Sequence, residues 1–374
     1  MDIIGFNHLF IDSGPLTGPG YYAVQLLENL LALPKEKLSS FKFCVFAQDG
    51  TQHHYSENTQ RHLVLVPPQS SRFSRVAWEQ IMLPIWSVRK KVDLLFSPGF
   101  VSPMYGAPIL ATTIPDMYYR AVPEFVERYQ RLYWRIMLPM TSRVSKLVIT
   151  ISESSKRDIE HFLPGARGKV IVTPLASRFK AIDILDEDEL SQEPYVLVIA
   201  NLTPNKNISR VVEALAMLRD NGRVVNLLHI GVDLYGELAR AVSEHNLFGQ
   251  VKSLGKVDDD SLRTAARSCL CIIVPSLYEG FGMPAIEAQA LGVPLICSDR
   301  SALPEVAGNA ALMFDPSNTS ELSGCISRLI EERGLRNKMR SEGLVNARRF
   351  SWKSTAQLTL DAFDRQLKDI RGFG

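Results

Sequence analysis

The sequence contains no apolar run approaching the roughly 18 residues that a membrane-spanning helix needs, so no spanning helix is expected. It opens directly on a strand-like segment, without the basic region and apolar run of a secretory leader, and no such leader is expected. Cysteine is scarce: the five present are an odd number, do not make a disulfide framework and fit a reducing cytoplasm. Cys269 and Cys271 share one face of a strand-like run, and the second half of a four-ligand set is missing, so they read as buried thiols rather than metal ligands. No metal-ligand cluster stands elsewhere, and neither metal nor other cofactor is expected. An excess of one charge is also lacking: a net charge of +2 gives no global field to gather nucleic acid. Internal repeats and low-complexity tracts are absent. What remains is a chain of 374 residues, 46% hydrophobic and 22% charged, with the composition of a soluble globular protein. It is too long for one ordinary core and predicts two domains.

The most informative stretch is Pro275-Ser-Leu-Tyr-Glu-Gly-Phe-Gly-Met-Pro-Ala-Ile-Glu287. The β-rich run Leu270 to Val274 ends at Pro275, a loop with Gly280 and Gly282 follows, and Pro284 suits the first turn of a helix closed by Gly292 and Pro294. Strand, glycine loop and helix gather free N–H groups and the positive end of a helix dipole at one point, a seat for an anion. Glu279 and Glu287 flank that seat. A carboxylate accepts hydrogen bonds and does not bind phosphate, so this pair should face hydroxyls. Anion seat plus hydroxyl acceptors describes a sugar-nucleotide site. A plain helix start with favourable glutamates also satisfies the pattern.

Elsewhere the chain alternates strand-like and helical runs. Strands are predicted at Asp2–Phe6, Phe41–Phe46, Leu63–Val66, Leu94–Phe96, Ile109–Thr113 and Leu147–Ile151, with a last one near Val170. After an acidic stretch, 181–193, that reads as the domain boundary, further strands are predicted at Tyr195–Ala200, Val224–Ile230, Val251–Leu254, Leu270–Val274, Pro294–Cys297 and Ala311–Phe314. The alternation predicts α/β domains with doubly wound parallel sheets, whose ligands bind beyond the carboxyl ends of the strands. The first strand leads into a glycine-rich segment containing Gly18 and Gly20, then a helix from about Tyr21 to Leu33. The strand at Tyr195 leads into Asn201-Leu-Thr-Pro-Asn-Lys-Asn207. Residues 118–146 are rich in aromatics and bases, with Arg128, Arg131 and Arg135 on one helical face. That segment fits either a solvated basic face or contact with an anionic membrane surface.

A glutamate, seven residues and a second glutamate, with Gly-Phe-Gly-Met-Pro between, closely resembles the signature of the retaining glycosyltransferases of family four. The resemblance extends over nearly the whole chain, most strongly at 275–292. It implies the GT-B fold: two Rossmann-like doubly wound domains facing a deep interdomain cleft. The N-terminal, acceptor-binding domain would span residues 1–180, with a C-terminal helix at 353–374 packing back on it. The donor-binding domain would span 190–352.

The family pattern also implies roles. Gly18 and Gly20 would line the cleft facing the donor phosphates and the acceptor, and Lys206 would bind the diphosphate. Asn201 and Asn205 stand where relatives often carry arginine, so a second cation would come from elsewhere, with Arg178 and Arg210 as candidates. Val257, in Gly255-Lys-Val257, would lie where the base is held. Glu279, Gly280, Phe281, Gly282 and Met283 would hold sugar and phosphate, and Glu287 the ribose hydroxyls. Pro115-Asp116 replaces the His-Asp of many relatives; Asp116 fits acceptor contact, charge stabilisation or a turn cap. Glu279, Asp116 and Lys206 are the candidate catalytic residues.

The implied reaction transfers a hexose, with GDP-mannose the favoured donor, to a glycan or polyprenyl-diphosphate-linked acceptor in bacterial polysaccharide assembly. The setting would be the cytoplasm, with peripheral contact at the inner face of the membrane. A sugar-nucleotide epimerase of the same fold and a non-catalytic sugar-nucleotide binder are the alternatives.

Overall fold

The predicted strands are short apolar runs with little alternation, the pattern of strands covered on both faces, and parallel sheets are built from such strands. The computed structural model, which describes residues 1–181 and 193–372, contains two sheets, both parallel throughout. Asp183, Asp186, Glu187, Asp188 and Glu189 of the expected acidic boundary lie outside the described residues. The chain divides into two compact units: Met1–Arg120, Glu127–Leu175 and Ser351–Gly374 form one, and Ala121–Val126 with Ala176–Phe350 the other.

The first unit holds β1 (Asp2–Asn7), β2 (Phe41–Gln48), β3 (Leu63–Val66), β4 (Leu94–Ser97), β5 (Ile109–Thr113), β6 (Leu147–Thr150) and β7 (Val170–Val172), ordered β3-β2-β1-β4-β5-β6-β7. The order reverses between β1 and β4, where a doubly wound sheet opens its crevice. The segments leaving those two strands touch, for a Cβ on Gly99 would lie 2.6 Å from the Phe10 ring. Gly18 and Gly20 belong to the first turn of the Gly18–Leu31 helix, which starts three residues earlier than Tyr21 because Pro19 suits an initial helical position. The Trp352–Gly372 helix completes this unit. It brings Phe363 within 5.1 Å of Phe96 and 6.3 Å of Phe6, a three-ring contact at the centre of the core.

The second unit holds β8 (Tyr195–Ile199), β9 (Asn226–Ile230), β10 (Val251–Ser253), β11 (Cys271–Val274), β12 (Leu295–Ser298) and β13 (Leu312–Phe314), ordered β10-β9-β8-β11-β12-β13. Its reversal falls between β8 and β11. The Ile208–Asp220 helix buries Val211, Val212 and Leu215 against Val196, Val198 and Ile273 of the sheet. Cys269 and Cys271 are buried, and burial pushes both thiols up.

A titratable side chain, His8, is fully enclosed in the first unit. His8, just past β1, has its Nδ1 3.0 Å from the Tyr55 hydroxyl and its ring stacked on Tyr55. Burial penalises the imidazolium and lowers its pKa from 6.5 to about 3. The unfolded chain therefore takes up a proton at His8 below pH 6.5 that the folded chain refuses. This contribution to stability is complete above 6.5 and is lost progressively towards 3. The expected slope is at most about 1.4 kcal/mol per pH unit in that window. His8→Phe should remove it, so that the stability difference between wild type and variant in urea changes between about pH 7 and about pH 5. A constant difference would show that His8 is not held neutral.

Candidate active site

The reversal of strand order in the second unit sets two loops side by side. One leaves β8 and carries 200–207; the other leaves β11 and carries 275–282. Backbone and amide groups staple them. Leu277 N–H donates to the Asn205 carbonyl at 2.8 Å, Asn205 Nδ2 donates to the Tyr278 carbonyl at 3.4 Å, and Asn207 Nδ2 donates to the Pro275 carbonyl at 3.2 Å. Asn207 takes φ 53°, a left-handed conformation that asparagine tolerates better than most residues. Gly231, after β9, fits tightly beneath the first loop: a Cβ there would lie 2.0 Å from the Ala200 carbonyl oxygen.

The staples bring Lys206 and Glu279 together. Lys206 Nζ lies 2.5 Å from Glu279 Oε1, and Ser276 Oγ donates to the same oxygen at 2.7 Å. Glu279 N–H donates to Ser301 Oγ at 2.8 Å, which fixes the backbone beneath the carboxylate. The two charged side chains are 23% and 13% exposed, so the pair is screened less than a surface ion pair and still reachable from solvent. Ala200, Lys206, Pro275, Ser276, Glu279 and Pro284 line one small recess.

The glycine turn follows directly. Gly282 has φ +93°, and a Cβ there would also meet the Leu303 side chain at 2.6 Å, so only glycine fits. The helix begins at Met283 with Pro284 in its first turn; Ala285 N–H already bonds the Gly282 carbonyl at 2.9 Å, and the Met283 N–H stands at the positive end of the helix. Phe281 is buried and packs edge-on against Phe350 at 5.6 Å.

Glu287 sits inside that helix, 5% exposed. Arg178 grips it with two nitrogens, Nε to Oε1 at 2.9 Å and Nη2 to Oε2 at 3.4 Å. The remaining terminal nitrogen, Nη1, lies 3.2 Å from Asp259 Oδ1, and the guanidinium rests over the Phe179 ring at 4.9 Å. Burial pushes the Glu287 pKa up to about 7; Arg178 opposes the rise by its charge and hydrogen bond, and Asp259 adds to it. Arg210, the other candidate second cation, bonds Glu213, Thr319 Oγ1 and the Pro316 carbonyl. Both arginines are thus occupied with protein partners, and Lys206 is the cation at the loop pair.

The other candidates stand as follows. Asn205 holds the loops together and accepts from Thr203 Oγ1 at 2.6 Å. Asn201 is exposed, and its Oδ1 accepts from Val232 N–H at 3.1 Å, fixing the loop after β9. Val257 is half-buried, between Gly255 and the Asp258 cap of the Asp259–Arg267 helix. Gly18, Gly20 and Asp116 belong to the first unit. Asp116 Oδ1 accepts from Tyr118 N–H at 2.9 Å, the geometry of a turn-capping aspartate. Ser276, Ser301 and Gly231 were not anticipated. Ser276 lies within the motif and Gly231 ends a strand, both legible signals; Ser301 is brought in by the fold alone.

Two parallel α/β units with loops paired at the strand reversal are the architecture of the GT-B glycosyltransferases. Sucrose-phosphate synthase from Thermosynechococcus elongatus shares the fold: TM-score 0.74 at 20% identity, covering 99% of this chain and 100% of that one. Residues 182–344 match the family described as glycosyl transferases group 1, so the chain carries a glycosyl transferase group 1 domain. O-antigen chain mannosyltransferase B from Escherichia coli is 26% identical over 367 residues, 93% of this chain and 96% of that protein. The serotype-specific mannosyltransferase WbdA, also from Escherichia coli, is 26% identical over 239 residues, 60% of this chain and 29% of that protein. The chain therefore spans less than a third of WbdA's length in that match.

The Arg178–Glu287 contact is testable without any ligand. The Glu287 carboxylate should titrate near pH 7 in the wild type, followed by carbon NMR, and at higher pH in Arg178→Ala, where the only opposing cation is gone. Arg178→Lys should fall between the two. Equal midpoints in wild type and Arg178→Ala would mean that the pair does not form in solution.

Proposed function

We propose that the protein is a retaining glycosyltransferase that moves a hexose, mannose from GDP-mannose, onto a glycan or polyprenyl-diphosphate-linked acceptor in bacterial O-antigen assembly. The observation that carries this reading is the pairing of Lys206 with Glu279 beside an N-terminal helix turn, at the reversal point of the sheet. A sugar nucleotide presents a diphosphate and hydroxyls a few atoms apart. An ammonium and free amides suit the first, and carboxylates the second. The names of the two Escherichia coli relatives support the sugar and the polysaccharide setting. The same acceptor class would bring the enzyme to an anionic membrane face.

In the reaction so read, the bond from the anomeric carbon to the β-phosphate oxygen breaks and a bond from that carbon to the acceptor oxygen forms on the same face. The acceptor's proton passes to the departing diphosphate. Lys206 and the backbone N–H groups of 281–283 would stabilise the negative charge that develops on the leaving oxygen. Glu279 would accept from sugar hydroxyls, and its bond to Lys206 would keep both groups aligned before the donor arrives. Glu287, oriented by Arg178, would accept from the ribose hydroxyls. Asp116 is assigned to the acceptor side. No metal or other cofactor enters the reading.

Calorimetry with GDP, UDP and dTDP tests donor class: GDP should bind most tightly. Lys206→Ala should weaken nucleoside diphosphate binding by about tenfold or more, the worth of a charge-assisted hydrogen bond. Glu287→Ala should weaken nucleosides and nucleotides alike, because the ribose contact does not depend on phosphate. Unchanged affinity in both variants would overturn the assignment of this site. Mannose transfer or slow hydrolysis of GDP-mannose would exclude a non-catalytic binder. Epimer formation without acceptor would instead identify an isomerase.

A further inference from the structure

Large apolar side chains exposed to water are concentrated on two helices of the first unit. On Arg72–Arg89, Phe73, Ala77, Ile81, Ile85 and Val88 follow one another by four, four, four and three residues, a single stripe, and all are exposed. Phe73 is 91% and Val88 66% exposed. On Arg128–Val144, Tyr129, Leu132, Ile136 and Met140 form a second stripe, with Tyr129 63% and Leu132 61% exposed. Each helix contains Ile-Met-Leu-Pro. In both copies the leucine, Leu83 or Leu138, is buried, and the isoleucine, Ile81 or Ile136, faces water. These helices are therefore apolar on the inner face, as packing requires, and also on the outer face, which packing leaves unexplained.

Both stripes lie on one side of the unit. The helices cross over from β3 to β4 and from β5 to β6, moving in the same direction along the sheet, and right-handed crossovers of one direction share a face. Leu83 belongs to a core cluster against which Val144 of the other helix also packs. Exposed charge on the two helices themselves is of one sign, with the exposed Glu127 capping the start of the second. Arg89, Lys90 and Lys91 are exposed at the end of the first helix, and Arg128, Arg135 and Arg143 along the second. The carboxylate present in 72–91 is Glu79, which is buried, and 128–146 contains none. A second copy docked by two-fold symmetry would set cations against cations. A bilayer with anionic headgroups accepts both features, taking the apolar side chains into its interface and the cations at its surface. No helix among the described residues is long and apolar enough to cross a membrane, so the contact is one of lying on the surface.

We infer that the outer faces of the Arg72–Arg89 and Arg128–Val144 helices form a docking surface for an anionic lipid bilayer. This rests on the proposed function only in naming the surface on which a lipid-linked acceptor would be met. The test contains neither donor nor acceptor, so its failure would leave the transferase reading standing, and failure of donor binding would leave the surface standing. The full chain is mixed with vesicles of phosphatidylcholine alone or with phosphatidylglycerol, and bound protein is measured by flotation. Wild type should bind the anionic vesicles and not the neutral ones. Arg135→Ala with Arg143→Ala should weaken binding about tenfold or more. Ile81→Ser with Ile136→Ser should weaken it while thermal unfolding and nucleotide binding stay at wild-type values. Equal binding to both vesicle types, or no binding, would overturn the inference. So would sedimentation showing a dimer that the two serine substitutions dissociate, since a second copy would then cover the face.

Discussion

The reversal of strand order between β8 and β11 is the constraint on which the candidate site depends. Two loops leaving neighbouring strands at such a point have no helix wedged between them, and their backbone groups are free to bond one another. Here three hydrogen bonds do so, from Leu277, Asn205 and Asn207. They fix the backbone that carries Lys206 and Glu279. The ion pair is a product of that stapling: two flexible side chains meet because the segments beneath them are already in register. A charged pair on loops already stapled together would lose little ordering entropy on meeting a ligand, which is what the proposed donor site requires.

Burial decides the state of the titratable groups more than formal charge does. His8 is enclosed without a carboxylate partner and is held neutral. Glu287 is enclosed with a guanidinium against it; burial outweighs Arg178's charge and hydrogen bond and pushes the carboxyl pKa up to about 7. The Glu287 carboxyl is oriented by Arg178, which is itself shared with Asp259 and braced on Phe179. Arg178 belongs to the Ala176–Phe350 segment of the second unit, as Glu287 does.

The first unit meets a different problem with its outer layer. A helix covering a parallel sheet needs one apolar stripe, and most of the helices here have a polar outer face. The two that do not are the two whose exposed charges are all basic. Apolar surface left in water costs free energy, roughly 25 cal/mol per Å², and its coincidence with cations is the basis of the proposed bilayer contact.

The thirteen strands among the described residues and the longer helices were legible in the sequence, because strands buried on both faces leave uninterrupted apolar runs and helices leave a period near four. Pro284 and Gly292 marked the helix ends, and the motif around Gly280 marked the loop. Boundaries moved by a residue or a few, as at Gly18, where the chain enters the helix earlier than its glycines imply. The tertiary structure alone decided the partnerships. Lys206 and Glu279 are 73 residues apart and Arg178 and Glu287 are 109 apart. Which cation meets which carboxylate follows from strand order, and local spacing carries no record of strand order. The same holds for the outward isoleucines: Ile81 and Leu83 are equally apolar in the sequence, and only the position of the sheet determines which of them is left facing water.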